Sequence, residues 1–380
     1  MKPIIKLLPC MLLLLLMACS GKEAVKKYSL TKTDKKLTFA LDADTKNEMY
    51  SYAVYRDKTG KNYFTFKNRA SNTLLFYDID TESFEYKVDF PVEGNHGVGL
   101  AEGYYIHNLD SIYLPNRDVK EISLSDKNGF LHAKYSYDKD ATNEELSRYG
   151  FSSAYLQPAQ VIGRTMYLYS GPNRFIERDP VTITFDMDTH EIKALPFCYP
   201  DYPGSDTKLK KYGLETAFSR CYDGTHFVYS FYYDENIYVA TPAHDSIRKI
   251  PVKSSYFDKV DLPGELTGTP QDFCEKPLYG NLLYDCYRNV YYRIAYPRTT
   301  IEKEVRPFEL LAYGRKNFSI IILDKEFNKI GETLFPDYTY SAKGMIILED
   351  GLYISDSHYL NPQFSDDVLS FVRFELTAEK

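Results

Sequence analysis

Three segments of this chain repeat one pattern: an apolar run, a short turn opened by aspartate, and a second run in which apolar and polar residues alternate. They are "LLFYDIDTESFEYKVDF" from Leu74, "VTITFDMDTHEIKALPF" from Val181 and "IIILDKEFNKIGETLF" from Ile320. Weaker copies, "EISLSDKNGFLHAKYSY" from Glu121 and "YVATPAHDSIRKIPV" from Tyr238, fill the gaps. A further pair of runs with a tight turn precedes such copies, as in "YSYAVYRDKTGKNYFTF", "GYYIHNLDSIYL" and "TAFSRCYDGTHFVYSFYY". Alternation with period two places apolar side chains on one face of a pleated strand. The 36 Tyr and 23 Phe favour strands for the same reason.

Two hairpins in succession make four antiparallel strands, the content of a propeller blade. The expectation is an all-β, six-bladed β-propeller, with blades at about 49–90, 99–138, 155–197, 215–253, 279–336 and 342–376. The last blade has no outer strand after "VLSFVRFELTAEK", and "KKLTFALD" at 35–42 has no partner. The N-terminal strand is therefore expected to complete that blade and close the ring, which also removes exposed sheet edges. Seven blades, or another β architecture such as a pair of sandwiches, are the alternatives. Insertions at 140–155, 199–214, 258–278 and 297–315 read as loops that no blade requires. Only 141–149, and less clearly 206–217, look helical.

The chain opens with MKPIIK and an apolar run from Leu7 to Cys19, the pattern of a secretory signal too short to span a bilayer. Leu16-Met17-Ala18-Cys19 has the form of a bacterial lipobox. The expected organisation is a signal peptide at 1–18, a lipidated Cys19 with a flexible polar tether to residue 34, and the propeller domain over 35–380. Acyl chains contribute about 0.8 kcal/mol per buried methylene, so a multiply acylated Cys19 would hold the protein on the cell envelope. Ser20, rather than aspartate, after the cysteine favours the outer membrane.

The formal charge is −7; without residues 1–18, which carry Lys2 and Lys6, 44 basic residues face 53 acidic ones, a net −9. An acidic chain with no long basic run is a poor nucleic-acid binder. Cys198, Cys221, Cys274 and Cys286 are an even set in an exported chain, and pairing of near neighbours would give Cys198–Cys221 and Cys274–Cys286.

The stretch "EGNHGVGLAEGYYIHNLDSIYL", with "LTFALDADTKN" and "LLFYDID" before it, resembles the bacterial lipoprotein family known as domain of unknown function 4221. That family is similar in turn to TolB-like six-bladed propellers. The resemblance implies export and a propeller fold, and it brings no catalytic residue with it.

No H-E-x-x-H, G-x-S-x-G, Walker loop or metal-spaced Cys/His cluster occurs, and no cofactor or metal is expected. "DADTKNE", "DIDTE" and "DMDTH" lack the glycine and glutamate of a calcium loop, and their aspartates suit hairpin turns. An Asn-Arg pair recurs between strand-like runs at Asn68-Arg69, Asn116-Arg117 and Asn173-Arg174, with Arg298 at the equivalent link of blade five. In a blade whose first strand is innermost, the link between its second and third strands shares a rim with the crossing loop to the next blade. That loop contributes Asn95 and His96. These nine residues form a candidate ligand-binding rim, because guanidinium groups suit carboxylate and phosphate; the competing expectation is that asparagine suits the turn and arginine pairs with a neighbouring acid.

The functional expectation is a membrane-anchored recognition module that presents this rim to a small anion, a glycan or a protein partner. A propeller hydrolase or lyase with His96 and nearby carboxylates, and an assembly scaffold, are the alternatives.

Overall fold

The computed structural model describes residues 27–68, 71–116, 120–137, 139, 151–170, 180–200, 217–262 and 268–379. Residues 1–18, expected to be a signal peptide, Cys19, the 141–149 and 206–216 segments, and Arg69, Arg117, Asn173 and Arg174 all lie outside them.

The chain is all-β. After β1 (Tyr28–Ala40), a first sheet is built from β2 (Tyr52–Arg56), β3 (Asn62–Asn68), β4 (Thr73–Asp78) and β5 (Phe84–Asp89). A second contains β6 (Tyr105–Asn108), β7 (Ser111–Asn116), β8 (Glu121–Ser125) and β9 (Leu131–Ser136). The third holds β10 (Phe151–Ser152), β11 (Gln160–Ile162), β12 (Thr165–Ser170), β13 (Thr182–Asp186) and β14 (Ile192–Ala194), with β10 and β11 both paired to β12. A fourth comprises β15 (Phe218–Tyr222), β16 (Phe227–Phe231), β17 (Asn236–Ala240) and β18 (Ile247–Pro251). The remaining strands are β19 (Leu278–Asp285), β20 (Val290–Tyr296), β21 (Ser319–Leu323), β22 (Lys329–Leu334), β23 (Ser341–Leu348), β24 (Gly351–Ser355) and β25 (Val368–Ala378). With β1 they form one eight-stranded sheet in the order β19-β20-β21-β22-β1-β25-β24-β23. Successive antiparallel four-strand meanders of this kind are propeller-like.

Aspartate sets the turns. Asp78 Oδ1 accepts the N–H groups of Asp80 and Thr81 at 2.8 and 3.2 Å, and Asp186 Oδ1 those of Asp188 and Thr189 at 2.9 and 2.8 Å. Asp57, Asp223, Asp285 and Asp324 do the same in their own hairpins. A carboxylate that satisfies its own turn explains the repeated acid without a metal.

β1 is antiparallel to β25 from Tyr28↔Ala378 to Ala40↔Val368, with a register shift between Lys32 and Lys36. Residues 28–34, expected to belong to a tether, are thus strand. Leu30 and Leu37 are buried while much of the strand's other face is exposed, an edge-strand pattern that the lysines obscure in sequence. At its start β1 also meets β22 in parallel through Tyr28↔Gly331, and Leu30 N–H donates to Thr333 Oγ1 at 2.8 Å. A Cβ at position 331 would lie 1.9 Å from the Tyr28 carbonyl oxygen, so only glycine permits this approach.

Apolar side chains fill the spaces between sheets. Phe64, Phe66 and Tyr77 of the first sheet pack with Leu37, Phe39, Tyr353 and Phe371. On its other face Leu74, Phe76 and Val88 meet Ile106, Ile112 and Leu114 of the second. Equivalent clusters join the second sheet to the third, the third to the fourth, the fourth to β19–β21, and β20–β21 to β24–β25. Each fully buried Leu or Phe contributes roughly 1.5–3 kcal/mol.

One of these interfaces also buries a charge. Arg293 of β20 is wholly inaccessible and stacks on the Tyr279 ring at 3.6 Å. Its Nε donates to Ser230 Oγ at 3.0 Å, Nη1 to the carbonyls of Glu235 and Val252 at 2.9 and 2.8 Å, and Nη2 to those of Asp234 and Asn236 at 2.6 and 3.3 Å. The guanidinium staples the fourth sheet to β20.

Two insertions expected to be loops carry short helices, α1 (Pro270–Glu275) and α2 (Pro307–Tyr313). Thr269 caps α1 by accepting from Asp272 N–H, and each helix has proline in its first turn. Cys274 and Leu310 pack with Ile301 between them.

The expected disulfides are not formed: Cys198, Cys221, Cys274 and Cys286 are free. Cys274 and Cys286 are separated by the eight residues of β19, about 26 Å of strand. Cys221 packs in the cluster between the fourth sheet and β19–β21, whereas Phe197 and Tyr199 carry the Cys198 segment to the opposite face of that sheet.

Candidate functional site: a tyrosine cluster around Arg315

The five described residues of the expected rim, Asn68, Asn95, His96, Asn116 and Arg298, differ in burial and in partners. Asn68 and Asn116, the last residues of β3 and β7, are buried. Asn68 Nδ2 donates to the Asp44 carbonyl at 2.8 Å, and Asn116 Nδ2 to the Val98 carbonyl at 2.9 Å, while Tyr137 Oη donates to the Asn116 carbonyl at 2.6 Å. Both amides therefore tie down the chain entering the first strand of a sheet. Arg298 Nη2 reaches both oxygens of Asp261 at 2.7 and 2.8 Å, the pairing with an acid that competes with ligand binding. Asn95 and His96 are exposed; the His96 ring lies 5.9 Å from Phe130 of the β8–β9 turn, beside an outer strand.

A different set of residues converges. Tyr50 and Tyr52 at the entry to β2, Tyr155 after β10, Tyr232 and Tyr233 after β16, and Tyr296 at the end of β20 come from four sheets to one place. Tyr155 N–H donates to the Tyr50 carbonyl at 3.2 Å, and the Tyr52 and Tyr155 rings stack at 5.9 Å with 14° between planes. Tyr52 Oη donates to the Lys343 carbonyl and accepts from Met345 N–H, both at 2.9 Å, which fixes its ring against β23. The Tyr296 ring crosses the backbone of β19: a Cβ on Gly280 would meet it at 2.7 Å. Tyr155, Tyr232 and Tyr296 are half-buried as residues. Desolvation raises the Tyr155 and Tyr232 phenols well above their ordinary range and pushes Tyr296 up to about 12, and nearby phenols add to the shift of the first two. All three are neutral at physiological pH. Beneath Tyr52 a cavity of about 200 Å³ extends past Ser51 to Tyr104, Ser153 and Pro158.

Arg315 stands at the edge of this cluster, just beyond α2, in the β20–β21 link that also holds Arg298. It is 7% exposed and lies over the Tyr296 ring, 4.7 Å from its centroid. Nη2 donates to the carbonyls of Cys274 and Lys276 at 2.7 and 2.8 Å. Nε and Nη1 are buried and have no hydrogen-bond partner among the described residues. Tyr296, Cys274 and Tyr233 face the guanidinium; burial holds the Cys274 thiol up at about 11, so it is neutral too. Burial pulls Arg315 itself down to about 10, still protonated near neutrality. His358 supports the segment, its Nε2 donating to the Gly314 carbonyl at 3.0 Å while Nδ1 accepts from Leu360 N–H at 3.2 Å. Nothing in the sequence singled out Arg315, whose neighbours come from the β16–β17 link, the α1 segment and β20.

Opposite by strand direction, the hairpin turns enclose a wider cavity of about 920 Å³. Lys35, Arg56, Asp80, Glu82, Tyr287, Cys286 and Asp350 line it, and Lys35 pairs with Asp350 at 2.8 Å. Among the described residues no group of three or more His, Cys, Asp or Glu is placed to hold a metal ion, and no helix is long and apolar enough to cross a membrane.

Fold and cluster together define an all-β, propeller-like protein in which tyrosines from four sheets gather at one place. The chain belongs to the family described as domain of unknown function (DUF4221), whose sequence model matches residues 27–334. It is similar in fold to a member of that family from Bacteroides vulgatus, at 23% identity over 94% of this chain and 100% of the other, with a TM-score of 0.79. It also resembles a candidate exported protein from Bacteroides fragilis, at 10% identity over 92% and 95% of the two chains, with a TM-score of 0.56. No curated protein matches the chain.

Proposed function

We propose that this protein is an exported lipoprotein, held on the bacterial envelope through Cys19 and on the outer membrane by its Ser20 context, whose domain is a six-bladed propeller that recognises a ligand at the tyrosine cluster. Six-blade closure is supported by the apolar clusters, which link each four-strand unit to the next and the last to the first, and by β1 as the outer strand of the β23–β25 unit. The cluster then sits at one mouth of the channel.

The observation that carries the recognition role is the convergence of half-buried, neutral tyrosines from four sheets on one place. Flat apolar faces with hydroxyl edges suit the faces of a sugar ring or a similar compact ligand, and rigid aromatic side chains lose little entropy on binding. Phenols held neutral by burial are poor proton-transfer groups near pH 7, which favours binding over hydrolase or lyase chemistry.

Saturation-transfer NMR of the purified protein against a panel of neutral and acidic monosaccharides and small carboxylates tests this. Binding is expected to vanish in Tyr155→Ala and to persist in Tyr287→Ala, which alters the opposite cavity. Loss in the second variant and retention in the first would move the site to the other mouth. Separately, Cys19→Ala is expected to abolish labelling by a palmitate analogue; unchanged labelling would refute the anchor.

A further inference from the structure

We infer that Arg315 is the anchor for a single carboxylate, so that the ligand of the tyrosine cluster is a compact carboxylate-bearing molecule, with a sugar acid as the form that also uses the ring faces. This rests on the cluster being the binding site. Buried guanidinium groups in proteins are paired or fully hydrogen-bonded, because an uncompensated buried charge is costly. Arg293 meets that condition in this same chain, with all three nitrogens bonded. Arg315 does not: one nitrogen is satisfied, two are buried without a partner, and the side chains facing it are Tyr296, Cys274 and Tyr233 rather than a carboxylate.

A group that completes the site must accept hydrogen bonds and carry negative charge. Because one cation faces it, a monoanion balances the site, whereas a phosphate dianion would leave a second charge desolvated among phenols. The Tyr296 ring lies against the guanidinium, 4.7 Å from its carbon, and limits its freedom, while Nε and Nη1 are buried, so the ligand's carboxylate has to displace neighbouring side chains to reach them.

The test compares glucuronate, glucose, acetate and inorganic phosphate as ligands of the full chain in detergent, by thermal melting and calorimetry at constant pH and ionic strength. Glucuronate is expected to raise the melting temperature and glucose, its neutral counterpart, to raise it little. Arg315→Met should weaken glucuronate about tenfold to a hundredfold, the equivalent of one charged hydrogen-bonding group, and bring it level with glucose. Acetate should stabilise the wild type weakly and the variant not at all. Equal affinity for glucose and glucuronate, preference for phosphate, or undiminished glucuronate binding in Arg315→Met would each overturn the assignment. Tyr155→Ala separates the two claims. If it abolishes binding while Arg315→Met does not, the cluster is the site but does not read charge. If no probe binds or neither variant matters, the cluster is not the site and both claims fall.

Discussion

Arg293 and Arg315 are two buried arginines, about twenty residues apart in sequence, each stacked on a tyrosine, and they are used in opposite ways. At Arg293 the protein supplies every acceptor, four of them backbone carbonyls from the fourth sheet and the segment beyond it. At Arg315 it supplies two, both to the same nitrogen. A guanidinium whose donors are all satisfied internally is a fastening, and its charge has no further work to do. One left incomplete beside tyrosines is, on the inference drawn above, open to an acceptor from outside.

The largest expected effect bears directly on that contrast. Arg293→Met orphans several carbonyls and Ser230, and a loss of roughly 3–5 kcal/mol is expected by chemical denaturation. A loss below about 1 kcal/mol would show that the bonds at Arg293 are replaceable by water and would break the comparison.

Next comes acid, which probes the polar support around the two regions. His244 hydrogen-bonds Tyr229 in the fourth sheet, and His358 braces Gly314; burial pulls both down to about 4 from an ordinary value of 6.5. The folded chain keeps these rings neutral while the unfolded chain protonates them. Stability is therefore fully present above about pH 6.5 and falls as the pH drops toward 4, by up to about 3 kcal/mol for each histidine. Melting curves across that window should flatten in part in His358→Gln, and an unchanged slope would mean that His358 titrates normally.

Smaller still is the stacking contribution. Tyr279→Leu is expected to cost about 2 kcal/mol of stability through the desolvated cation–π contact with Arg293, whereas Tyr296→Leu should show mainly as lost ligand affinity. Reversal of that pattern would exchange the roles assigned to the two sites. Smallest is Arg315→Met without ligand, expected within about 1 kcal/mol of wild type, because removing an incompletely solvated charge offsets the two lost hydrogen bonds.

The strand layout was legible because period two and turn aspartates are local signals: the hairpins around Asp78, Asp186 and Asp324 lie where alternation and turn chemistry put them. The start of β1 was not, since "KKYSLTKTDKK" resembles a tether until β25 and Gly331 are beside it. The repeated asparagine before arginine was visible, but its cause was hidden: Asn68 and Asn116 clamp chain segments 24 and 18 residues away. Arg315 and the tyrosines had no motif at all. Their proximity depends on how four sheets converge, and no spacing within the chain records that.

The pairing of β1 with β25 has a consequence for the order of events during synthesis. Thr31 and Thr377 hydroxyls meet at 2.7 Å although 346 positions separate them, so the first strand made waits for nearly the last. Until the C-terminal residues arrive, β22, β24 and the nascent β1 each present an unpaired edge, and closing so long a loop is slow. The interval between synthesis of Tyr28 and arrival of Val368 is the chain's period of greatest exposure to mispairing, and truncation after Asp367 would make that period permanent.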